Sequence, residues 1–348
     1  MAYTTINNPG EYFKSTVYNG NESTNAISGI GFQPDWVWVK AKDSGNVDHF
    51  LFDSVRGVQK NIHSNLADAE VTTSNSLTAF DSDGFTLGSD AYVNGSGQPH
   101  ANWNWKAGTS FTNDASSTGV GSIDSAGSVS TDARFSIISW TGTGANATVA
   151  HGLGSVPKTI ILKNRDSAEN WIVGHNSNGW GKYQILNTTD ATSTASNIWQ
   201  DTAPSSSIFS IGASGKVNGS SHKMIAYCFA EVKGYSKFGS YASNSNADGP
   251  FVYLGFRPAL VIVKCTTATE SWGLVDTKRA PINLATVAVL NANTTGAEGG
   301  AEIDLLSNGF KLTAVSGQFN KSGSHSYIFM AFAESPFVNS SKIPNNAR

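Results

Sequence analysis

Charge is scarce in this chain of 348 residues: Asp, Glu, Lys and Arg make up 14%, and the formal net charge is −3. The densest basic group is the pair Lys278-Arg279. Nucleic-acid surfaces concentrate Lys and Arg, so that partner is not expected, and neither is a polybasic membrane surface. Only two cysteines occur, Cys228 and Cys265, both in apolar strand-like runs. They read as buried thiols rather than a disulfide, as suits a chain assembled in a reducing cytoplasm. No apolar run approaches the roughly 18 residues of a membrane span, so no membrane insertion is expected. The opening "MAYTTINNPGEYF" lacks the basic and apolar regions of a secretory signal. Sustained helical periodicity is missing too.

Catalytic signatures are equally thin. The seven histidines form no His-Glu-x-x-His spacing, and no Gly-x-Ser-x-Gly elbow occurs. "TGTGAN" (141–146) precedes no helix and makes a poor phosphate cradle. Two carboxylate pairs could serve glycoside hydrolysis, Asp81 with Asp83 and Glu302 with Asp304. Asp53 and Arg56 have a counterpart in Asp276 and Arg279, which reads as a repeated turn with an ion pair. No catalytic residue, cofactor or metal ligand is expected.

What the sequence has is repetition. "GFQPDWVWVK" (31–40), "GLGSVPKTIILK" (152–163) and "GFRPALVIVK" (255–264) place Pro34, Pro157 and Pro258 six residues before Lys40, Lys163 and Lys264. Proline suits the start of a strand, where its missing N–H costs little. An aromatic strand precedes each phrase, and a second strand follows each lysine, its apolar part opening at Phe50, Trp171 and Trp272. Phe85, Phe209 and Phe310 then mark matching phrases, "DGFTLGSDAYVNGSG", "SIFSIGASGKVNGSS" and "NGFKLTAVSGQFNKSG", before three closing strands. Gly, Asn and Ser separate the strands.

The pattern predicts an all-β chain: three tandem antiparallel β-sandwich repeats of about 100 residues, jelly-roll-like in one option. Expected boundaries are 1–106 for repeat one with an N-terminal arm, 134–234 for repeat two and 235–334 for repeat three. The Gly/Ser/Thr-rich stretch 107–133 reads as a flexible or extended linker, and 335–348 as a C-terminal arm. That predicts one module on a tether followed by a tight pair. Alternation puts Trp36 and Trp38 on one strand face and Val37 and Val39 on the other. The two tryptophans read as packing residues inside repeat one, with a sugar-stacking platform as the competing option. Trp180 and Trp103 are the candidate exposed ligand-binding aromatics.

The phrases "QPDWVWVK", "HFLFDSVRG", "FDSDGFTLG", "NWNWKAG" and "AFAESPFVNSSKIPNNAR", with the opening "MAYTTINNPGEYF", resemble a family of repeat-bearing virion structural proteins of marine tailed bacteriophages, cyanophages among them. The resemblance runs over nearly the whole chain. It implies a non-enzymatic virion protein, assembled in the host cytoplasm and released by lysis. A tail-fibre or receptor-binding component is the first expectation, a capsid decoration protein the second and a glycan depolymerase the third. Expected partners are other virion proteins and a host surface glycan or receptor, with a homotrimer as one possible assembly.

Overall fold

The computed structural model describes residues 3–283, 286–339, 341 and 343–344. Nearly all of its regular structure is antiparallel β-strand, as the spacing of turn residues predicts. Three large sheets share one strand order. In the first, the opening strand Phe13–Asn19 pairs with the closing strand Pro99–Trp105, which pairs with Trp36–Ala41, followed by Phe50–Asp53, Lys60–His63 and Val71–Thr72. The second runs Phe135–Thr141, Lys223–Phe229, Thr159–Asn164, Ile172–His175, Lys182–Ile185 and Ser193–Thr194 in the same order. The third runs Ser236–Ala242, Ser326–Pro336, Phe256–Cys265, Gly273–Asp276, Val287–Asn291 and Gly299–Ala301. A smaller sheet of two or three strands covers one face of each. Phe85, Phe209 and Phe310 sit on these covers and are buried.

The prolines hold the expected places. Pro34 and Pro157 stand just before their strands. Pro258 lies within its strand, at a register shift where a missing N–H is tolerated.

Register fixes which residues correspond. Trp36 lies opposite Trp105, Thr159 opposite Phe229 and Leu260 opposite Phe332. Each inner strand is buried on both faces. Val37, Ile160 and Val261 pack under the small sheets, in three separate outer cores. Trp36, Trp38, Ile161, Leu260 and Ile262 point the other way, into one central core shared by all three sheets. Trp36 and Trp38 are thus packing residues, as expected, but the space they fill lies between units; the Trp36 ring stacks on Tyr227 of unit two at 4.2 Å.

At the middle, Trp105, Phe229 and Phe332, equivalent residues of the three closing strands, meet in a triangle of rings 5.5 to 6.5 Å apart. Polar bonds repeat cyclically around it. The Tyr227 hydroxyl donates to Asp53, and Trp103 Nε1 donates to Asp276. His175 Nε2 donates to the Phe329 carbonyl. Asp53, His175 and Asp276 are equivalent, and each bonds to the closing strand of the next unit. Main-chain bonds close the same ring: Glu70 N to Arg165 O, Thr192 N to Thr266 O, and Glu298 N to Lys42 O.

This arrangement overturns the tether. Residues 109–113 and 125–130 form two strands that extend the second sheet, joined by a helical turn whose N-cap is Asp114. An edge hairpin is half solvated, so Ser and Thr can alternate with a few apolar contacts such as Phe111 and Val129. That pattern imitates a linker in composition. Unit one packs on both of the others. Of the expected C-terminal arm, 335–336 finish the closing strand; residues 340, 342 and 345–348 lie outside the described set.

Candidate functional site

The three lysines that end the inner strands are wholly buried. Lys163 Nζ donates to the carbonyls of Asn164, Ser167, Glu169 and, across the junction, Ala67 of unit one. Lys264 reaches Cys265 O and Thr189 O of unit two, and Lys40 reaches Ala41 O and Ser44 O. Burial pushes each ammonium down to about 8. All three are structural staples for loop carbonyls that would otherwise be buried unmet.

The Asp53/Arg56 and Asp276/Arg279 pairs are ion pairs, as the turn reading expects. Both are closed off from solvent and tie the strand end to its hairpin. Asp83 spends its carboxylate on the amides of Gly29 and Gly31, which hold it below the usual carboxylate range. Asp81 accepts from Thr86 in its own hairpin. Glu302 and Asp304 flank Ile303 at the start of an outer strand. Cys228 and Cys265 are separate buried thiols.

The two candidate exposed tryptophans are interior residues. Trp103 is fully buried in the central core, where its N–H meets Asp276. Trp180 lies in the outer core of unit two, edge-on to Trp199 at 5.5 Å. Apolar area outweighs the single polar N–H of each ring, so neither presents a face to a ligand.

A different place breaks the repetition. Main-chain amides of His49, Trp171 and Trp272 donate the same bond, to Oδ1 of Asn65, Asn187 and Asn293. The equivalent of Trp171 is therefore His49, one residue earlier than the apolar phrase suggests. The three side chains do the same work: Trp171 Nε1 donates to His63 O, Trp272 Nε1 to Ile185 O and His49 Nε2 to Asn291 O. With that register, Asp48 matches Asn170 and Ser271, His63 matches Ile185 and Asn291, and Asp90 matches Ser214 and Ser316. Tyr92 matches Lys216 and Gln318.

Asp48, His63, Asp90 and Tyr92 line a cavity of about 400 Å³ on unit one. The floor is aromatic. Tyr92, 60% exposed, lies nearly parallel to Phe50 at 6.2 Å, and Phe50 meets the edge of His63 at 4.5 Å. Asp90 caps the single helical turn 91–94 through Oδ1 and holds Tyr92 in place. Its Oδ2 has no hydrogen-bond partner among the described residues, and neither has His63 Nδ1. Asn61 spends its amide N–H on Thr73, so its oxygen faces His63 and takes the proton of Nε2. Nδ1 is left as a lone pair, 3.8 Å from Asp48 Oδ2. The other Asp48 oxygen is held by Asn65. Burial lowers the imidazole below its ordinary value against the pull of Asp48, Asp68 and Asp90, while burial raises Asp90. The result is an exposed Tyr92 ring beside three acceptors, of which His63 Nδ1 and Asp90 Oδ2 are buried. The signal for it was present in the aligned repeats, but only the hydrogen-bond register aligns them correctly.

A second, larger hollow of about 560 Å³ lies between units two and three, lined mainly by hydroxyls and Lys182. Among the described residues no cluster of His, Cys, Asp and Glu could hold a metal ion. Among the described residues no helix is long and apolar enough to cross a membrane. A sequence family described as Domain of unknown function (DUF7483) matches residues 8–336. No curated protein matches the chain.

Proposed function

The chain belongs to the DUF7483 family, and from that premise we propose that it is a non-enzymatic virion structural protein of a tailed bacteriophage, serving as a tail-fibre or receptor-binding component. One observation carries the binding role: a rigid, repeated scaffold departs from its own repetition where unit one alone places an exposed aromatic ring beside the Asp48 carboxylate and two buried acceptors that have no hydrogen-bond partner among the described residues. Repeated residues supply backbone geometry and packing, and the repeated ionisable groups are consumed by bonds within and between units. The resemblance in sequence supports the virion setting. The surface is rich in Ser, Thr and Asn, which suits a glycan as the receptor.

The closed ring of three units favours a second reading, a capsid decoration protein seated at a threefold junction of the shell. Imaging the assembled particle by cryo-EM separates the two. Density for this chain at a tail appendage is the expected result. Density over capsid hexamers or their junctions would overturn the receptor-binding assignment in favour of the second.

A further inference from the structure

Resting on the reading of the unit-one cavity as a ligand site, we infer that it takes a sugar bearing a protonated primary amine. Its ionisable lining only accepts: Asp48, whose side chain is 31% exposed, reaches the surface, while His63 Nδ1 and Asp90 Oδ2 are buried and have no hydrogen-bond partner among the described residues. None of the lining residues is Lys or Arg, and among the described residues neither Asp48 nor Asp90 forms an ion pair with either. The buried Lys40 ammonium acts on Asp48 through space, but its hydrogen bonds go to the carbonyls of Ala41 and Ser44, so the carboxylates beside the exposed aromatic face still favour a positive charge. The charge gains from both the carboxylate and the ring quadrupole.

The rest of the cavity selects the skeleton. Its volume of about 400 Å³ lies within the range of small-ligand sites. The Tyr92 ring offers a flat apolar surface to the face of a pyranose. Asn46 and Thr73, at the rim, offer amide and hydroxyl groups to ring hydroxyls. Units two and three carry Ile185 and Asn291 where His63 stands, and no carboxylate where Asp48 and Asp90 stand. One site per chain is therefore expected.

Titration calorimetry on the full chain tests this, with three probes: chitosan trisaccharide, its fully N-acetylated counterpart and trilysine. The deacetylated sugar should bind, with one site per chain, and at least about tenfold more tightly than either of the others. Asp48→Asn and Tyr92→Ala should each weaken it about tenfold, with the thermal unfolding temperature held near that of the parent chain. Tyr92 is a surface residue, so its variant remains informative if Asp48→Asn disturbs the loop. Equal binding of the acetylated sugar would overturn the charge requirement, equal binding of trilysine would overturn the sugar, and no binding of any probe would overturn the site. Particle imaging is independent of these outcomes. Density on the shell together with amino-sugar binding would sink only the receptor role, whereas tail density without binding of any probe would sink this site and its ligand but not the tail location.

Discussion

Buried ionisable side chains give this protein a pH signature that can be read residue by residue. His175 sits at a junction, its two nitrogens committed to Phe329 O and Ser177 N, and burial holds it down to about 4. His151 is likewise held to about 4 by burial. In the unfolded chain both return to about 6.5. Between those values the unfolded state binds more protons, so stability is fully present above about pH 6.5 and is lost as pH falls toward 4. Each histidine accounts for on the order of 3 kcal/mol at the acid end of that window. Denaturant midpoints at pH 7 and pH 5 should show the loss, and His175→Gln should make the pH dependence shallower; an unchanged slope would refute the assignment. Lys40, Lys163 and Lys264 work on the alkaline side. Their values are lowered to about 8 by burial, while the unfolded chain holds its protons to about 10.5. The unfolded state again binds more protons, so stability should rise with pH from about 8 to 10. A midpoint that falls across that range would count against the lowered values of these lysines.

At the scale of elements, the asparagine in "VNGSG", "VNGSS" and "FNKSG" explains why those phrases recur. Asn218 donates to Thr143 Oγ1 and Ala145 O and accepts from Thr143 N. Asn94 and Asn320 make equivalent bonds to 21–23 and 244–246. Each one fastens the loop after an opening strand to the one-turn helix before the closing strand, which positions the small sheet over the large one. Asn218→Ala should destabilise the chain by about 2 to 3 kcal/mol in chemical denaturation, since it strands several buried partners at once; a change below about 0.5 kcal/mol would mean that solvent replaces them. The phrases themselves were legible in the sequence because the same hydrogen-bonding task needs the same short amide at the same offset. The strands were legible for a similar reason: alternation is a local consequence of the pleat. The edge hairpin at 109–130 was not, because a half-solvated strand of Ser, Thr and Gly has the composition of a linker. The one-residue slip that hid His49 had another cause. Tryptophan and histidine do one job there through their ring N–H groups, and hydrophobicity does not register that equivalence. The candidate site was lost with it, since His63 and Asp48 stand out only once their true counterparts are known.

For the whole molecule the decisive feature is that no unit encloses its own interior. Each large sheet has an outer face covered by its small sheet and an inner face that is apolar and covered only by the other two units. Sequence repetition suggests autonomous beads, and nothing in a repeat of about 100 residues says whether its second face meets a neighbour or water. Both faces of the inner strands being apolar was the available clue. Trp36, Trp38, Trp103 and Trp105 would all lose cover in an isolated unit one, and Phe135, Ile161, Tyr227 and Phe229 in an isolated unit two. An exposed patch of that kind greatly exceeds what a monomeric protein tolerates. Residues 107–234 expressed alone should therefore be insoluble or bind a hydrophobic dye strongly, although they contain a complete large sheet with its hairpin. The full chain should unfold in one cooperative transition rather than three, because loss of any unit uncovers the central core of the others. Calorimetry decides between the two pictures. A calorimetric enthalpy matching the van't Hoff enthalpy supports the shared core. Three resolved transitions, or a soluble and cooperatively folded fragment 107–234, would show that the units stand alone and that the central aromatic triangle is a contact between finished domains.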